Sequence, residues 1–310
     1  MKRSFWLTVL AAFGIVACSP PPKAKSNQLS SANNNTLLWR ISGNNLTKPS
    51  YLFGTMHMIC ANDIEASDSL KNAIKAADRV YLELDMDDAL QLLSAMSHMT
   101  MKNDTTLADL LSKDEYKKVK SYFEEHNGLL PFSMMEKFKP LLIESMVLEQ
   151  ATQCENMIVM EQLVMEEAKK NKVDIHGLET MDYQLGIFDR IPYSLQAKQL
   201  VKMIGDTDKS NNKEMQELTD AYREQRLDKL DELTRKEDMG IEDFTDILLY
   251  DRNANWAKNL QELMKNRSLV IAVGAGHLPG EKGVINLLRK AGYKVEPVKN
   301  DMIKKKTKQI

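Results

Sequence analysis

Tyr51-Leu52-Phe53-Gly54-Thr55-Met56-His57 is an apolar, β-prone run that meets a glycine and then presents a histidine. The same device returns near the other end, in Leu269-Val270-Ile271-Ala272-Val273-Gly274-Ala275-Gly276-His277. Each reads as a buried strand that stops at its glycine, followed by a Gly-x-x-His turn. Glycine lets the chain turn sharply or approach another backbone closely. Histidine serves as a metal ligand or as a general acid and base near neutral pH. One such turn is weak evidence, because a lone histidine after a strand is more often a hydrogen-bonded structural residue. Two copies in matched settings predict that the turns meet and build one site.

Outward from the first turn, Leu37 to Ile41 is a strand, Ser42-Gly43-Asn44-Asn45 is turn chemistry, and Ser50 to Phe53 returns as the second arm of a hairpin. Ile64 to Ala77 has helical periodicity, with Asp63 or Ser67 as its cap. Arg79 to Leu84 follows as a strand, so a βαβ unit is expected to set its end beside the first histidine turn. Residues 89 to about 170 read as mostly helical, punctuated by Pro131 and Pro140. Val173 to His176 is a short strand, and Gly177-Leu178-Glu179-Thr180 turns into the next helix. Leu195 to Leu233 is a charged helical stretch whose charges read as a solvated face, and Ile241 to Met264 reads as one long helix. Leu269 to Val273 has the continuous apolar character of a strand buried on both faces. A helix opening near Pro279 and a last strand, Tyr293 to Val298, complete the pattern. The expected fold is therefore α/β, with one mixed sheet built from the N- and C-terminal segments and a large helical middle packed as a cap. Reactive crevices of such sheets lie at the carboxyl ends of strands, where both histidines fall.

A third group belongs beside them. In Val80-Tyr81-Leu82-Glu83-Leu84-Asp85, alternation puts Tyr81, Glu83 and Asp85 on one face. The ordinary reading is a half-exposed strand with an acidic outer face; the functional one places Glu83 next to the histidine turns. Two histidines and a carboxylate are a common donor set for a divalent ion such as Zn²⁺ or Mn²⁺. Glu83 is equally suited to act as a general base on a water. Glu179 reads as a supporting group or as a carboxylate favouring a helix N-terminus. Arg252 reads as a surface arginine or as a fork that pairs Glu179 or a substrate carboxylate. His98 and His126 read as surface residues, and His176 is given no role.

Composition excludes some classes. The 310 residues carry a formal net charge of −2, which gives no reason to expect nucleic acid, and only 6% aromatics, which argues against a stacking platform for single strands. The 19 methionines read as irregular core filling. Lys2 and Arg3 precede an apolar run, Phe5 to Val16, that is too short for a membrane span. It ends in Ile15-Val16-Ala17-Cys18, which resembles a bacterial lipobox, with residues 1–18 as the signal and Cys18 as the lipidated residue. An ordinary secretory signal cut nearby is the alternative. Ser19 after Cys18 points to outer-membrane sorting under the enterobacterial rule. Residues 19–36 are rich in Pro, Ser, Asn and Lys and read as a flexible tether. A single domain is expected over residues 37–298, and 299–310 form a basic tail. In an oxidising compartment, Cys60 and Cys154 either pair or stay as two buried thiols; the even count and the place of Cys60 just after His57 favour the bridge.

Gly54-Thr55-Met56-His57, Leu82-Glu83-Leu84, Gly177-Leu178-Glu179-Thr180, Arg252-Asn253-x-x-Trp256 and Gly274-Ala275-Gly276-His277 occur in the order seen in the TraB/GumN family, which the chain resembles from Leu37 to Val298. The Tiki proteins of animals belong to that family. The resemblance implies an α/β fold similar to the erythromycin-esterase and ChaN-like group, and a Cys60–Cys154 pair like that of secreted bacterial members. It implies a metal or catalytic centre of His57, Glu83 and His277, braced by Glu179 and Arg252 and shaped by Gly54 and Gly274. Tiki members are divalent-metal-dependent proteases; TraB and GumN members are functionally mixed. The expectation is thus an exported, lipid-anchored hydrolase of the bacterial cell envelope, using Mn, Co or Zn on a peptide or protein substrate. A lipoprotein that binds a peptide, haem or metal without turnover, and a metal-free esterase, are the alternatives.

Overall fold

The computed structural model describes residues 35–61, 64–88, 95–126, 130–151, 156–206, 211–235 and 244–303. Cys18 with its lipobox, nearly all of the tether, Cys154 and residues 304–310 lie outside the described residues.

Six strands form the main sheet: β1 (Leu38–Ser42), β2 (Ser50–Thr55), β4 (Arg79–Leu84), β6 (Asp174–Glu179), β7 (Leu269–Gly274) and β8 (Lys294–Val298). Their spatial order is β6-β4-β7-β2-β1-β8, while β3 (Ile59–Cys60) and β5 (Met157–Ile158) make a separate two-stranded ribbon. Strand β1 is antiparallel to β2 and to β8, and the pairs β2–β7, β7–β4 and β4–β6 are parallel. The β1–β2 hairpin turns through Gly43, Asn44 and Asn45 at φ of 78°, 46° and 62°, a left-handed region that glycine and asparagine tolerate best. Leu269 to Val273 are fully buried, as a central strand of a covered sheet requires. The mixed α/β sheet agrees with the sequence, with β6 joining it from the middle of the chain besides the strands from both ends.

The order of the strands corrects one expectation. Helix α1 (Asp68–Ala76) does connect β2 to β4, but β7 lies between them, so Glu83 stands beside the second histidine turn and not the first. Strand β2 also runs through Gly54 to Thr55, which pair with Val273 and Gly274. Gly54 is therefore no strand terminator. A Cβ there would stand 3.1 Å from Leu278 Cδ2 and 3.2 Å from Ala275 Cα, so the glycine lets β2 press against the second turn. Glu179 closes strand β6, and Thr180 caps the following helix α5 (Met181–Phe188) through a bond from the Tyr183 N–H. At the start of α1, Ser67 is the cap, accepting from Leu70 N–H at 3.1 Å; Ile64 lies outside the helix in a bridge with Ile303.

The helical middle has its own core. Leu107, Val119, Phe123, Phe132, Ile143 and Leu200 belong to an apolar cluster separate from that of the sheet. They come largely from α2 (Lys113–Glu125), α3 (Pro140–Ala151) and α6 (Tyr193–Asp206). Helix α4 (Met160–Lys170) packs instead against α1 and β6. The charged stretch from Leu195 is three helices, ending with α7 (Asn211–Arg223) and α8 (Leu227–Arg235); the break carries Gln225 at φ 55°. The expected long helix to Met264 is a π-helical turn, Asp246–Tyr250, leading into α9 (Asp251–Leu263). Among the described residues no helix is long and apolar enough to cross a membrane.

Two stability predictions follow from this packing. A Cβ on Gly177 would lie 2.8 Å from the backbone N of Asp85 and 2.8 Å from the carbonyl O of Glu179, where no flexible atom can yield. Gly177→Ala should destabilise the fold by roughly 1–3 kcal/mol in urea unfolding, outweighing the gain usual for Gly→Ala. Glu144, 4% exposed on α3, has its pKa pushed up by burial to about 8. The folded state then holds a proton that the unfolded chain releases near 4.5. The stabilising contribution is complete below that value and fades as pH rises to about 8. Melting curves of Glu144→Gln should lose this pH slope.

Candidate functional site

Four parallel-running strands deliver their carboxyl ends to one edge of the sheet, in the order β6, β4, β7, β2. That edge carries Glu179, Glu83, the Gly274–His277 turn and the Thr55–His57 turn. Glu83, Gly274, His277 and His57 line a cleft of about 340 Å³ together with Gln184, Arg252 and an apolar group of side chains. The two histidine turns, 220 residues apart in number, thus do open on one cavity.

Glu83 is the centre of the network. It is 7% exposed, which overturns the half-exposed reading of β4. Its Oε1 accepts the Gly274 N–H at 2.7 Å; its Oε2 accepts from Arg252 Nη2 at 2.6 Å and from Gln184 Nε2 at 3.2 Å. A Cβ on Gly274 would stand 3.3 Å from Oε1, so the glycine permits this approach. Burial pushes the Glu83 pKa up, but the His277 ring, the Arg252 guanidinium and the Gly274 N–H overcome it and hold the carboxyl at about 2. Glu83 is an anion throughout the physiological range.

Arg252, on the first turn of α9, is buried and fully engaged. Its Nε donates to Glu179 Oε1 at 2.9 Å, its Nη2 donates to both Glu83 and Glu179, and its Nη1 donates to the carbonyl of Leu248 at 3.0 Å. Trp256, one turn on, lies under the guanidinium at 4.7 Å and donates from Nε1 to Glu179 Oε2 at 3.2 Å. Arg252 therefore pairs with Glu179, one of the two functional alternatives, and is not a surface residue. Burial, and to a lesser degree Glu83, raise the Glu179 pKa, with Arg252 opposing.

His277 is 4% exposed, in the turn that follows β7. Its Nδ1 lies 2.6 Å from Asn253 Oδ1, and Asn253 Nδ2 donates to the carbonyl of Lys282 at 3.0 Å. A carbonyl accepts only from the amide nitrogen, so the amide oxygen faces the ring and Nδ1 carries the proton. The lone pair of the neutral ring is then on Nε2, 3.3 Å from Arg252 Nη1 and 3.7 Å from Glu83 Oε1. Burial depresses the His277 pKa to about 4 against the pull of Glu83, which keeps the ring neutral at pH 7.

His57 differs in both respects. Its side chain is 70% exposed at the mouth, and its Nδ1 lies 2.9 Å from Glu161 Oε1. The Thr55 hydroxyl donates to the same oxygen at 2.7 Å. The hydrogen bond to Glu161 raises the His57 pKa to about 9, with burial opposing. Glu161 itself stays below its ordinary value, because His57 and Thr55 outweigh its burial. Glu161 has no sequence signature: it sits in the first turn of α4, far along the chain from His57, and only the fold unites them. Asn253 and Gln184 were also missed as site residues, although Asn253 adjoins Arg252 in sequence. His98 and His126 are exposed, and His176 stacks on Tyr81 at 5.3 Å between ring centres.

Each histidine thus has Nδ1 held by an oxygen acceptor, as imidazole ligands in metal sites do, and Nε2 of His277 meets Arg252 Nη1. Among the described residues, however, no three His, Cys, Asp or Glu side chains are grouped closely enough to hold an ion as they stand. Arg252 reaches both Glu83 and His277 and takes up that space.

Residues 37–297 match the model of the TraB/PrgY/gumN family. Among curated relatives, "Metalloprotease TIKI2" of Danio rerio is 23% identical over 94% of this chain and 67% of its own length. "Metalloprotease TIKI homolog" of Nematostella vectensis is 24% identical over 86% of this chain and 68% of its own. Human "Metalloprotease TIKI1" is 23% identical over 84% of this chain, which spans 62% of that relative's length.

The geometry makes the His57–Glu161 pair testable directly. In Glu161→Gln the His57 pKa should fall from about 9 towards its ordinary 6.5, read from the ring protons by NMR titration. An unchanged titration would show that Glu161 does not hold the ring.

Proposed function

Because this chain belongs to the TraB/PrgY/gumN family, we propose that it is a metal-dependent hydrolase acting on peptide bonds of exported peptides or proteins. The observation that carries the reading is the pair of oriented histidines flanking an ionised, buried carboxylate in one cleft. The relatives named as metalloproteases support the class of chemistry. The donor set is of the right kind: two imidazoles with their Nδ1 sides held, and a carboxylate. His57, Glu83 and His277 would hold the ion, Mn²⁺, Co²⁺ or Zn²⁺, once Arg252 gives up its contact with His277 Nε2 and the ion displaces the proton that His57 carries up to about pH 9. What such an ion supplies is Lewis acidity towards a water and a carbonyl oxygen.

The chain's own groups have defined parts in this reading. Gly274 N–H and Arg252 keep Glu83 ionised, so that it can serve as a ligand or take a proton from water. Asn253 presents the His277 lone pair to the cleft, and Glu161 fixes the ring plane of His57. Arg252 brings a fixed positive charge beside the place where a carbonyl oxygen would gain negative charge. Glu179 and Trp256 hold that guanidinium in place.

The reading extends to the parts outside the described residues. Cys18 would carry a lipid, and the tether would hold the domain off a membrane of the bacterial envelope. Cys60 is disulfide-bonded, which supports its pairing with Cys154. A second reading, a lipoprotein that binds a peptide, haem or metal without turnover, draws support from Arg252, which saturates Glu83 as the side chains stand.

Protein lacking residues 1–35, supplied with Mn²⁺, Co²⁺ or Zn²⁺, should cleave members of a peptide library. His57→Ala and His277→Ala should each lower kcat/KM by roughly 100-fold or more, since even outer-shell losses at metal sites cost 10–100-fold. Elemental analysis should show about one bound ion in the wild type and less in both variants. Full activity in both would end the hydrolase proposal; a ligand released unchanged, with no cleavage, would favour the binding reading.

A further inference from the structure

The cleft has two unlike walls. One is polar: His57, Glu83, Arg252 and His277. The other is apolar, made by Ile187 and Phe188 at the end of α5 and by Leu248 and Leu249 in the π-helical turn. The π turn, closed by the Asp251 N–H on the carbonyl of Asp246, carries both leucines of this wall.

The apolar wall is also registered against the polar one. The carbonyl of Leu248 accepts from Arg252 Nη1 at 3.0 Å, the same nitrogen that reaches His277. Gln184 ties α5 into the network from the other side, donating to Glu83 at 3.2 Å and to Glu179 at 3.1 Å. Leu248, Leu249 and Phe188 are only partly covered, although the buried core lies close by. All three line a concave site of about 340 Å³, large enough for one bulky side chain and the adjoining peptide link.

We infer that Ile187, Phe188, Leu248 and Leu249 set substrate specificity, by receiving an aliphatic or aromatic side chain of the residue that flanks the hydrolysed bond. This rests on the hydrolase reading for its reaction, but the binding preference stands apart from turnover. A side chain seated on this wall brings its own backbone carbonyl towards Arg252 and Glu83. A charged side chain there would lose its water and find no partner among the four. An apolar pocket discriminates by about 10–200-fold per methylene at most, so the expected preference is graded and not absolute.

Two measurements test it. The first is kcat/KM, with the metal-supplied protein, for peptides identical except at the residue flanking the cleaved bond. Leu, Phe and Met should exceed Gly by roughly tenfold and Asp by more. Leu248→Ala and Leu249→Ala should reduce that preference through KM, with kcat nearly kept. Cleavage without apolar preference would overturn the inference and leave the hydrolase reading intact. The second measurement needs no turnover: calorimetric titration with blocked tripeptides carrying Leu, Phe or Asp at the centre. The Leu and Phe probes should bind, the Asp probe at least fivefold more weakly, and Leu248→Ala should narrow the gap. Equal binding of all three, or binding of none, would overturn the inference whether or not any peptide is cleaved. Matched thermal melts of the variants guard against misfolding.

Discussion

The bond from Gly274 N–H to Glu83 joins two neighbouring parallel strands at the point where the sheet ends. A carboxylate buried without partners would take up a proton or destabilise the fold. Glu83 does neither, because a main-chain donor from β7 and a guanidinium from α9 meet it from different directions. Those partners place constraints outward. A Cβ at position 274 would crowd Glu83 Oε1 at 3.3 Å, and Glu179 and Trp256 hold Arg252 against the carboxylate. The second histidine turn starts at the same Gly274 and inherits its placement from the bond. The site is therefore as rigid as the sheet edge on which it stands.

The two histidines reach the cleft in opposite electrostatic states. His277 is enclosed, so burial strips its proton, and Asn253 selects the tautomer with the lone pair inward. His57 is open to water and backed by an anion, so it keeps its proton to about pH 9. Identical motifs thus yield different groups because their surroundings differ. The first turn borders α4, which brings Glu161. The second borders α9, which brings a neutral amide. Gly54, pressed against Ala275, sets the distance between them.

Much of this was legible in the sequence, for local reasons. Leu269 to Val273 could be read as a central strand because every side chain is apolar, and the hairpin because Gly43, Asn44 and Asn45 tolerate left-handed backbone. The two histidines, Glu83, Glu179 and Arg252 were singled out as one constellation, and the structure brings all five to one network or cleft. What was not legible is non-local. Nothing in β2, α1 and β4 says that a strand from the far end of the chain inserts between them. Asp246 to Tyr250 has ordinary helical composition, so its π turn leaves no pattern. Glu161 looks like any acidic residue in the first turn of a helix until His57 is set against it.

The charges around Arg252 explain why the site is tense as well as rigid. One guanidinium serves two carboxylates, Glu83 and Glu179, while the His57–Glu161 pair is neutral as a unit. With His277 uncharged, that guanidinium is the cation that both carboxyl groups share. Glu83 has the Gly274 N–H in addition and remains the stronger acid. Glu179 lacks such a main-chain donor among the described residues, and burial, with Glu83 adding to it, raises its pKa against Arg252. A cation entering between Glu83 and His277 would compete with Arg252 for the same two groups. It would leave the guanidinium to Glu179, the partner that it already contacts through two nitrogens. In that arrangement Arg252 would give up Glu83 and His277 and keep Glu179.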